Sequence, residues 1–400
     1  MAVELELAID FGAAGNSQTY QGSGWAPPEH AFSWAVGTDS LLRIQPGHHN
    51  GGFILTLDVV PFVRPPELPE QRLIVCVNGA VVGSSAFSRP TLLGYHIPAE
   101  LAGDADALTI SLQHPDASRP RDFEASADAR SLAFSIAEAR LYRVTPENGC
   151  GGWAPPRGVM LSGAEKPGFG APHPKGLTDW IASRVGLDLP GLALKFESIG
   201  ENCEFGLVQR RCDAEPLGLL RFSSTFLRPL IRGLDDGFAG LGEPDDVEPR
   251  LEGDALREYM IHEKRYGLVY HSFVYEGERS VCSMREQEAA RLKFLRRKFI
   301  EELEAAEKIL VYKRNAPVAD EEMLPLFLAL RRHGDNTLLW VVPAERDRPP
   351  GTVEMMIPGL LKGYIDRFAP EDNAHDFSFD GWVRVCANAL VLAGLTRSGA

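Results

Sequence analysis

Apolar residues recur at two different spacings along this chain, and the change falls near residue 190. Up to about residue 145 the apolar runs are short and closed by turn residues: SLLRIQ, GGFILTLDVVPFV, QRLIVCVNGAVVGSS, ALTISLQHP and ARLYRV. Phe53, Leu55, Leu57 and Val59 alternate with Ile54, Thr56 and Asp58, the period-2 arrangement of a strand. Asn78-Gly79 stands between two β-rich runs, which predicts a two-residue hairpin. Short strands at regular intervals without helical periodicity predict an antiparallel β-sandwich, jelly-roll-like, over residues 1–145.

Residues 146–189 change character. NGCGGWAPPRG and EKPGFGAPHPKG hold too much glycine and proline for an element interior, which predicts a linker, with GLTDWIASRVG adding one short helix. From about 190 to 400 strand-like runs (LALKFESI, YGLVYHSFV, KILVYKR, TLLWVVPA, TVEMMIP) alternate with helical ones. In REQEAARLKFLRRKFIEELEAAEK, Leu292, Leu295, Phe299, Leu303 and Ala306 fall on one helical face. DEEMLPLFLALRRHG opens with acids and closes with basic residues and glycine, as a helix dipole favours, although Pro325 restricts where it starts. The prediction is an α/β domain with a mostly parallel sheet, whose ligands bind at the carboxyl ends of the strands.

Composition narrows the function. The 400 residues are 44% hydrophobic and 24% charged, with a net charge of −14, and no lysine occurs before residue 146. An acidic chain lacks the basic face that nucleic acids and anionic membranes require, so neither partner is expected. The start MAVELELAID has neither the basic nor the apolar region of a secretory signal. No apolar run reaches the roughly 20 residues of a membrane span. Six scattered cysteines (76, 150, 203, 212, 282, 386) suit reduced thiols, and the expected location is cytoplasmic.

The candidate chemistry centres on SIGENCEFG, where a strand runs through a glycine turn into a helix. Cys203 in the helix's first turn sees a partial positive charge, which favours the thiolate. Unpaired N–H groups there can hold an oxyanion, Gly200 permits the turn, and Asn202 can cap the helix or donate its amide. His271, in VYHSF, is the candidate proton acceptor, and Asp380 or Asn336 the group that orients it. Against this stands the alternative that Cys203 is a small packed hydrophobe. Ser198, Gly200, Glu201, Arg210 and Arg221, with Arg211 nearby, could line a ligand or anion pocket. Pairing of the arginines with Glu201, Glu204 or Glu215 explains them equally well.

ESIGENCEFGLVQRRCDAEPLGLLRF, then YGLVYHSF, then LKFLRRKFIEEL and KILVYKR, together resemble a bacterial family of papain-like cysteine peptidases over roughly residues 194–345. That resemblance implies Cys203 as nucleophile and His271 as its partner, in a thiol hydrolase or acyl transferase acting on a peptide or glycan-containing substrate. This chain departs from it in having Ser272 where the family commonly has aspartate. Residues 20–143 are similar to the β-sandwich modules of bacterial polysaccharide-modifying and glycosyltransferase proteins. The matching positions are Trp25, Glu29, Trp34, Asp128 and Arg130, which implies a sugar-contacting role for Trp25 and Trp34. Both indoles fit a core role as well.

Other motifs fail on spacing. GENCEFG is followed by no Gly-Lys-Ser/Thr, its glycines do not fit a dinucleotide fingerprint, and Ser198 lacks the G-x-S-x-G setting. His262-Glu263 is not part of HExxH, since Tyr266 stands four residues on. No cofactor or metal is expected. The main expectation is a cysteine-dependent hydrolase linked to glycan metabolism. The alternative is a non-catalytic glycan-binding or glycosyltransferase-accessory protein.

Overall fold

The computed structural model describes residues 2–47, 51–102, 107–145, 175–254, 257–371 and 373–394. Most of the predicted linker, residues 146–174, lies outside them. The chain forms two compact units, Met1–Trp153 with Val318–Leu328, and Ala154–Pro317 with Ala329–Ala400.

The first unit contains strands β1 (Ala2–Asp10), β2 (Ser33–Val36), β3 (Asp39–Ile44), β4 (Phe53–Pro61), β5 (Gln71–Val77), β6 (Ala80–Phe87) and β7 (Thr91–Ile97). A short helix, α1 (Ala99–Ala102), precedes β8 (Leu108–Gln113) and β9 (Leu132–Thr145). One sheet has the order β1-β9-β4-β7 with β2 also on β9, the other β3-β8-β5-β6, and every pairing is antiparallel. Their inner faces share one core. Phe53, Leu55, Leu57 and Val59 meet Leu73, Val75 and Ile110 in it, so the alternating set of β4 points inward. The hairpin turn is where the sequence puts it. Asn78 (φ 50°) and Gly79 (φ 86°) both take the left-handed conformation that a type I′ turn requires between β5 and β6.

The second unit opens with α2 (Lys175–Val185), α3 (Leu189–Ala193), β10 (Phe196–Ser198), α4 (Glu204–Arg211) and α5 (Leu227–Asp235). A three-stranded antiparallel sheet follows, from β11 (Val247–Glu252), β12 (Glu258–Glu263) and β13 (Leu268–Tyr275). Then come α6 (Val281–Ala305), β14 (Ile309–Lys313), α7 (Asp320–Arg331), which belongs to the first unit as far as Leu328, and then β15 (Thr337–Pro343), β16 (Val353–Ile357), β17 (Leu360–Ile365) and α8 (Phe379–Leu392). The main sheet has the order β10-β14-β15-β17-β16, parallel except for β16, which runs antiparallel at the edge. The expectation of a mostly parallel sheet is therefore met in four strands of five. One face of this sheet, through Val311, Leu339, Val341 and Leu361, packs on α2, α4 and α8 residues such as Ile181, Phe205 and Trp382.

One assignment changes. YGLVYHSFV, read as part of the α/β alternation, is β13 and belongs to the separate antiparallel sheet. Its period-2 pattern gives a strand but does not choose the sheet.

Candidate functional site

The SIGENC turn lies at the carboxyl ends of β10 and β14, where a parallel sheet offers a ligand crevice. Cys203 is the residue before α4, in helical conformation, and Asn202 Oδ1 accepts the Glu204 N–H at 3.1 Å. Asn202 is thus a cap. Gly200 does not have positive φ. A Cβ there would stand 3.1 Å from the Lys313 carbonyl oxygen, so glycine serves close approach to β14. Ser198, the last residue of β10, is buried, and its Oγ has no hydrogen-bond partner among the described residues.

A buried ion pair dominates this turn. Lys313 Nζ stands 2.6 Å from Glu204 Oε2, with the two side chains 2% and 1% exposed. Trp382 Nε1 donates to Glu204 Oε1 at 2.7 Å, the Ala369 N–H donates to Oε2 at 3.1 Å, and Asn315 Oδ1 accepts from Lys313 at 2.7 Å. Phe368 receives the ammonium over its ring at 4.7 Å. Every charge is met, which is the condition under which a buried pair survives. Burial lowers the Lys313 pKa against the pull of Glu204.

This setting opposes an activated thiol. Cys203 is half-buried against the core, and burial raises its pKa; Lys313 works the other way, and Glu204 adds to the rise. Burial thus works against the thiolate that the helix terminus favours.

His271 lies elsewhere in its environment. On β13, Leu268 and Tyr270 are buried, and Tyr270 OH donates to Glu288 of α6 at 3.0 Å. Alternation puts His271 on the opposite, solvent-facing side, 59% exposed. Its Nδ1 is 3.0 Å from Glu258 Oε2 on β12, and its ring stacks on Phe273 at 5.6 Å. Glu258 orients the imidazole, a role sequence reasoning assigned to Asp380 or Asn336. Asn336 instead donates to the Leu303 and Leu330 carbonyls at the amino end of β15, and Asp380 stands in the first turn of α8. Only the cross-strand register of the β12–β13 hairpin brings Glu258 forward.

The arginine cluster also resolves into internal pairs. Arg210 Nε and Arg221 Nη1 bind the two oxygens of Glu215, at 2.7 and 2.6 Å, and both guanidiniums lie over Phe222. Arg221 further donates to the Gly206 and Ala214 carbonyls, so it ties the loop after α4 to the helix. Arg211 lies over Phe379. The Glu201 N–H donates to the Lys313 carbonyl at 3.2 Å. His262 is paired with Glu252, and Glu263 accepts two turn N–H groups. No group of residues fit to hold a metal occurs among the described residues.

The sandwich carries a second cluster. Trp25 is half-buried, its ring tilted against Phe11 at 5.1 Å, with Nε1 donating to the Leu41 carbonyl at 2.8 Å, which is a packing role. Trp34 differs. Its neighbours Ser33 and Ala35 are fully buried, so alternation turns Trp34 and Val36 to the outer side of the sheet. There Trp34 meets Phe32 and Phe62 edge-on at 5.9 and 6.5 Å, and Phe123 joins Phe62 at 6.2 Å. Arg64 lies over Phe62 and pairs with Glu124, while Arg130 pairs with Asp128 and approaches Glu29 at 3.8 Å. Glu29 is tied to the aromatic strand through its N–H, which donates to the Phe32 carbonyl at 2.7 Å.

No helix among the described residues is long and apolar enough to cross a membrane. The chain matches no protein-family model and no curated protein. Among solved structures it is similar to the CBM36-1 domain of a multidomain xylanase from the hindgut metagenome of Trinervitermes trinervoides. That likeness has 13% identity over 35% of this chain and 97% of that one, with a TM-score of 0.21. The C-terminal CBM6 of LamC, a marine laminarinase from Zobellia galactanivorans, gives 11% identity over 35% and 98%, with a TM-score of 0.22. The insecticidal delta-endotoxin Cry8Ea1 from Bacillus thuringiensis gives 11% identity, 28% of this chain and a TM-score of 0.19, and the match spans 18% of that protein. Likenesses at this level carry no weight for function, and the β-sandwich stands on its own strand pairing.

Proposed function

We propose that this chain is a glycan-binding protein whose β-sandwich supplies a contact face around Trp34. The carrying observation is the Phe32–Trp34–Phe62–Phe123 cluster, in which Phe62 is buried in a small core with Leu68 and Leu132 while Trp34 and Phe123 stay partly exposed, flanked by the Arg130–Asp128–Glu29 and Arg64–Glu124 groups. The partly exposed indole of Trp34 accepts the C–H face of a sugar ring, with Phe62 packed beneath it as support, and the surrounding polar groups offer donors and acceptors to its hydroxyls. Each arginine is balanced by a carboxylate, so the face suits a neutral saccharide over a polyanion. The reading leaves the α/β unit without a thiol reaction, in keeping with the burial of Cys203.

Calorimetric titration of the full chain with cellohexaose, laminarihexaose and xylohexaose tests this. Trp34→Ala is expected to weaken binding about tenfold, the scale of one aromatic contact. Trp25→Ala is expected to lower Tm and to leave the affinity of the folded fraction unchanged. Absence of binding to all three sugars by the wild-type chain would end the proposal.

A further inference from the structure

The β12–β13 hairpin holds a group of side chains that neither the packing of the sheet nor the sandwich face uses. Glu258, 16% exposed, accepts from His271 Nδ1 at 3.0 Å with one oxygen and from the Phe273 backbone N–H at 2.8 Å with the other. Phe273 is held at φ +56°, and its side chain is 70% exposed. A bulky residue in the left-handed region is a backbone outlier, and here the strain places an aromatic ring in solvent. The pairing shifts register between Glu258 and Met260, which lets one carboxylate reach both residues.

The carboxylate also sets the imidazole's chemistry. A carboxylate oxygen accepts, so the His271 Nδ1–H faces Glu258, and Nε2 is left to meet a ligand. A ring nitrogen therefore sits beside a flat apolar ring, both held by one clamp. The rest of this face is mixed: Met260 and Val269 are apolar, while His262, Glu248, Arg250 and Glu252 are polar. Apolar positions interrupted by these charges do not make a continuous groove for a helix or a peptide. Glu276 and Glu278 at the end of the hairpin, with the net charge of −14, disfavour nucleic acid.

We infer that Phe273, His271 and Glu258 form a second carbohydrate contact, distinct from the Trp34 face. A pyranose ring lays its C–H face on Phe273 and donates a hydroxyl proton in a hydrogen bond to His271 Nε2. The contact does not depend on the sandwich reading.

The experiment uses the full chain labelled with 15N-histidine, with the His271 resonances assigned by their loss in His271→Gln. Cellohexaose, laminarihexaose, xylohexaose and adenosine are titrated in turn. At least one hexaose is expected to shift the Nε2 resonance of wild-type and Trp34→Ala chains alike. In Phe273→Gly the affinity read at that resonance is expected to weaken about tenfold. Because glycine accepts positive φ, Tm is expected to hold or rise, which separates loss of the ring from loss of the fold. The inference is overturned if no hexaose moves the resonance, if the response survives unchanged in Phe273→Gly, or if only adenosine moves it. A His271 response with no effect of Trp34→Ala on calorimetric binding removes the sandwich face and keeps this one.

Discussion

At Cys203 two local influences oppose one another. The first turn of a helix favours a thiolate, and burial against the core disfavours it. Burial outweighs the pull of Lys313, whose ammonium is committed to Glu204. Cys282 stands exposed in the first turn of α6, whereas burial pushes Cys212 up to about 12 and Cys386 well above the ordinary thiol range. Iodoacetamide at pH 8 is therefore expected to label Cys282 first, Cys203 later, and Cys212 and Cys386 last, as read by peptide mass mapping. Labelling of Cys203 ahead of Cys282 would restore the nucleophile. The place of Cys203 at a helix start was legible, since turn and cap residues act locally. Its environment was not. Lys313 lies 109 residues beyond Glu204 and Trp382 lies 178 beyond it, and no local pattern reports such pairs.

Between elements, the Glu204–Lys313 pair fastens α4 to the end of β14. Removing one partner leaves a buried charge unmet, which costs about 3–5 kcal/mol, while removing both often costs little. Lys313→Met is expected to destabilise by about 3 kcal/mol in urea unfolding, and Glu204→Gln/Lys313→Met to recover part of that loss. A single-variant cost below about 1 kcal/mol would place the pair in water. Elements with strong internal patterns were legible: the Asn78-Gly79 hairpin, and α6, whose Leu292, Leu295, Phe299 and Leu303 are buried as the periodicity predicts. β17 was not, because Lys362 and Gly363 break its apolar pattern although all six residues are buried. β7 has Gly94 in its centre, which hides it similarly. His271 was legible as a strand residue, but its partner Glu258 follows from register and a bulge.

On the scale of the whole molecule, stability carries a pH signature from Glu197. This carboxyl on β10 is buried, Oε1 has no hydrogen-bond partner among the described residues, and Oε2 shares Lys308 with Glu302. Burial raises its pKa to about 7, with Lys308 opposing and Glu302 adding to the rise. A raised carboxyl pKa means the folded state holds the proton more tightly. The contribution is complete below the unfolded value of about 4.5 and is lost as pH rises through 7. Glu197→Gln is expected to exceed wild type by less than about 1 kcal/mol at pH 5 and by about 3 kcal/mol at pH 8 in urea unfolding. Equal differences at the two pH values would show that Glu197 ionises freely. The change of period near residue 190 was legible, but that Val318–Leu328 joins the first unit was not, since those residues read as part of the α/β alternation. The three-stranded sheet inserted before α6 was not, since its strands look like those of the main sheet.

The placement of β9 bears on synthesis. This strand is the last of the sandwich in sequence and pairs with β1, β2 and β4, with Ala2 opposite Thr145. A nascent chain therefore holds β1 and β4 without their shared neighbour until residue 145 has left the ribosome. Contacts so far apart in sequence slow closure and leave strand edges open meanwhile. An arrested chain ending before β9 should be protease-sensitive throughout its first half, and one extended past Leu328, the last residue of the first unit, by the length of the ribosomal tunnel should be resistant.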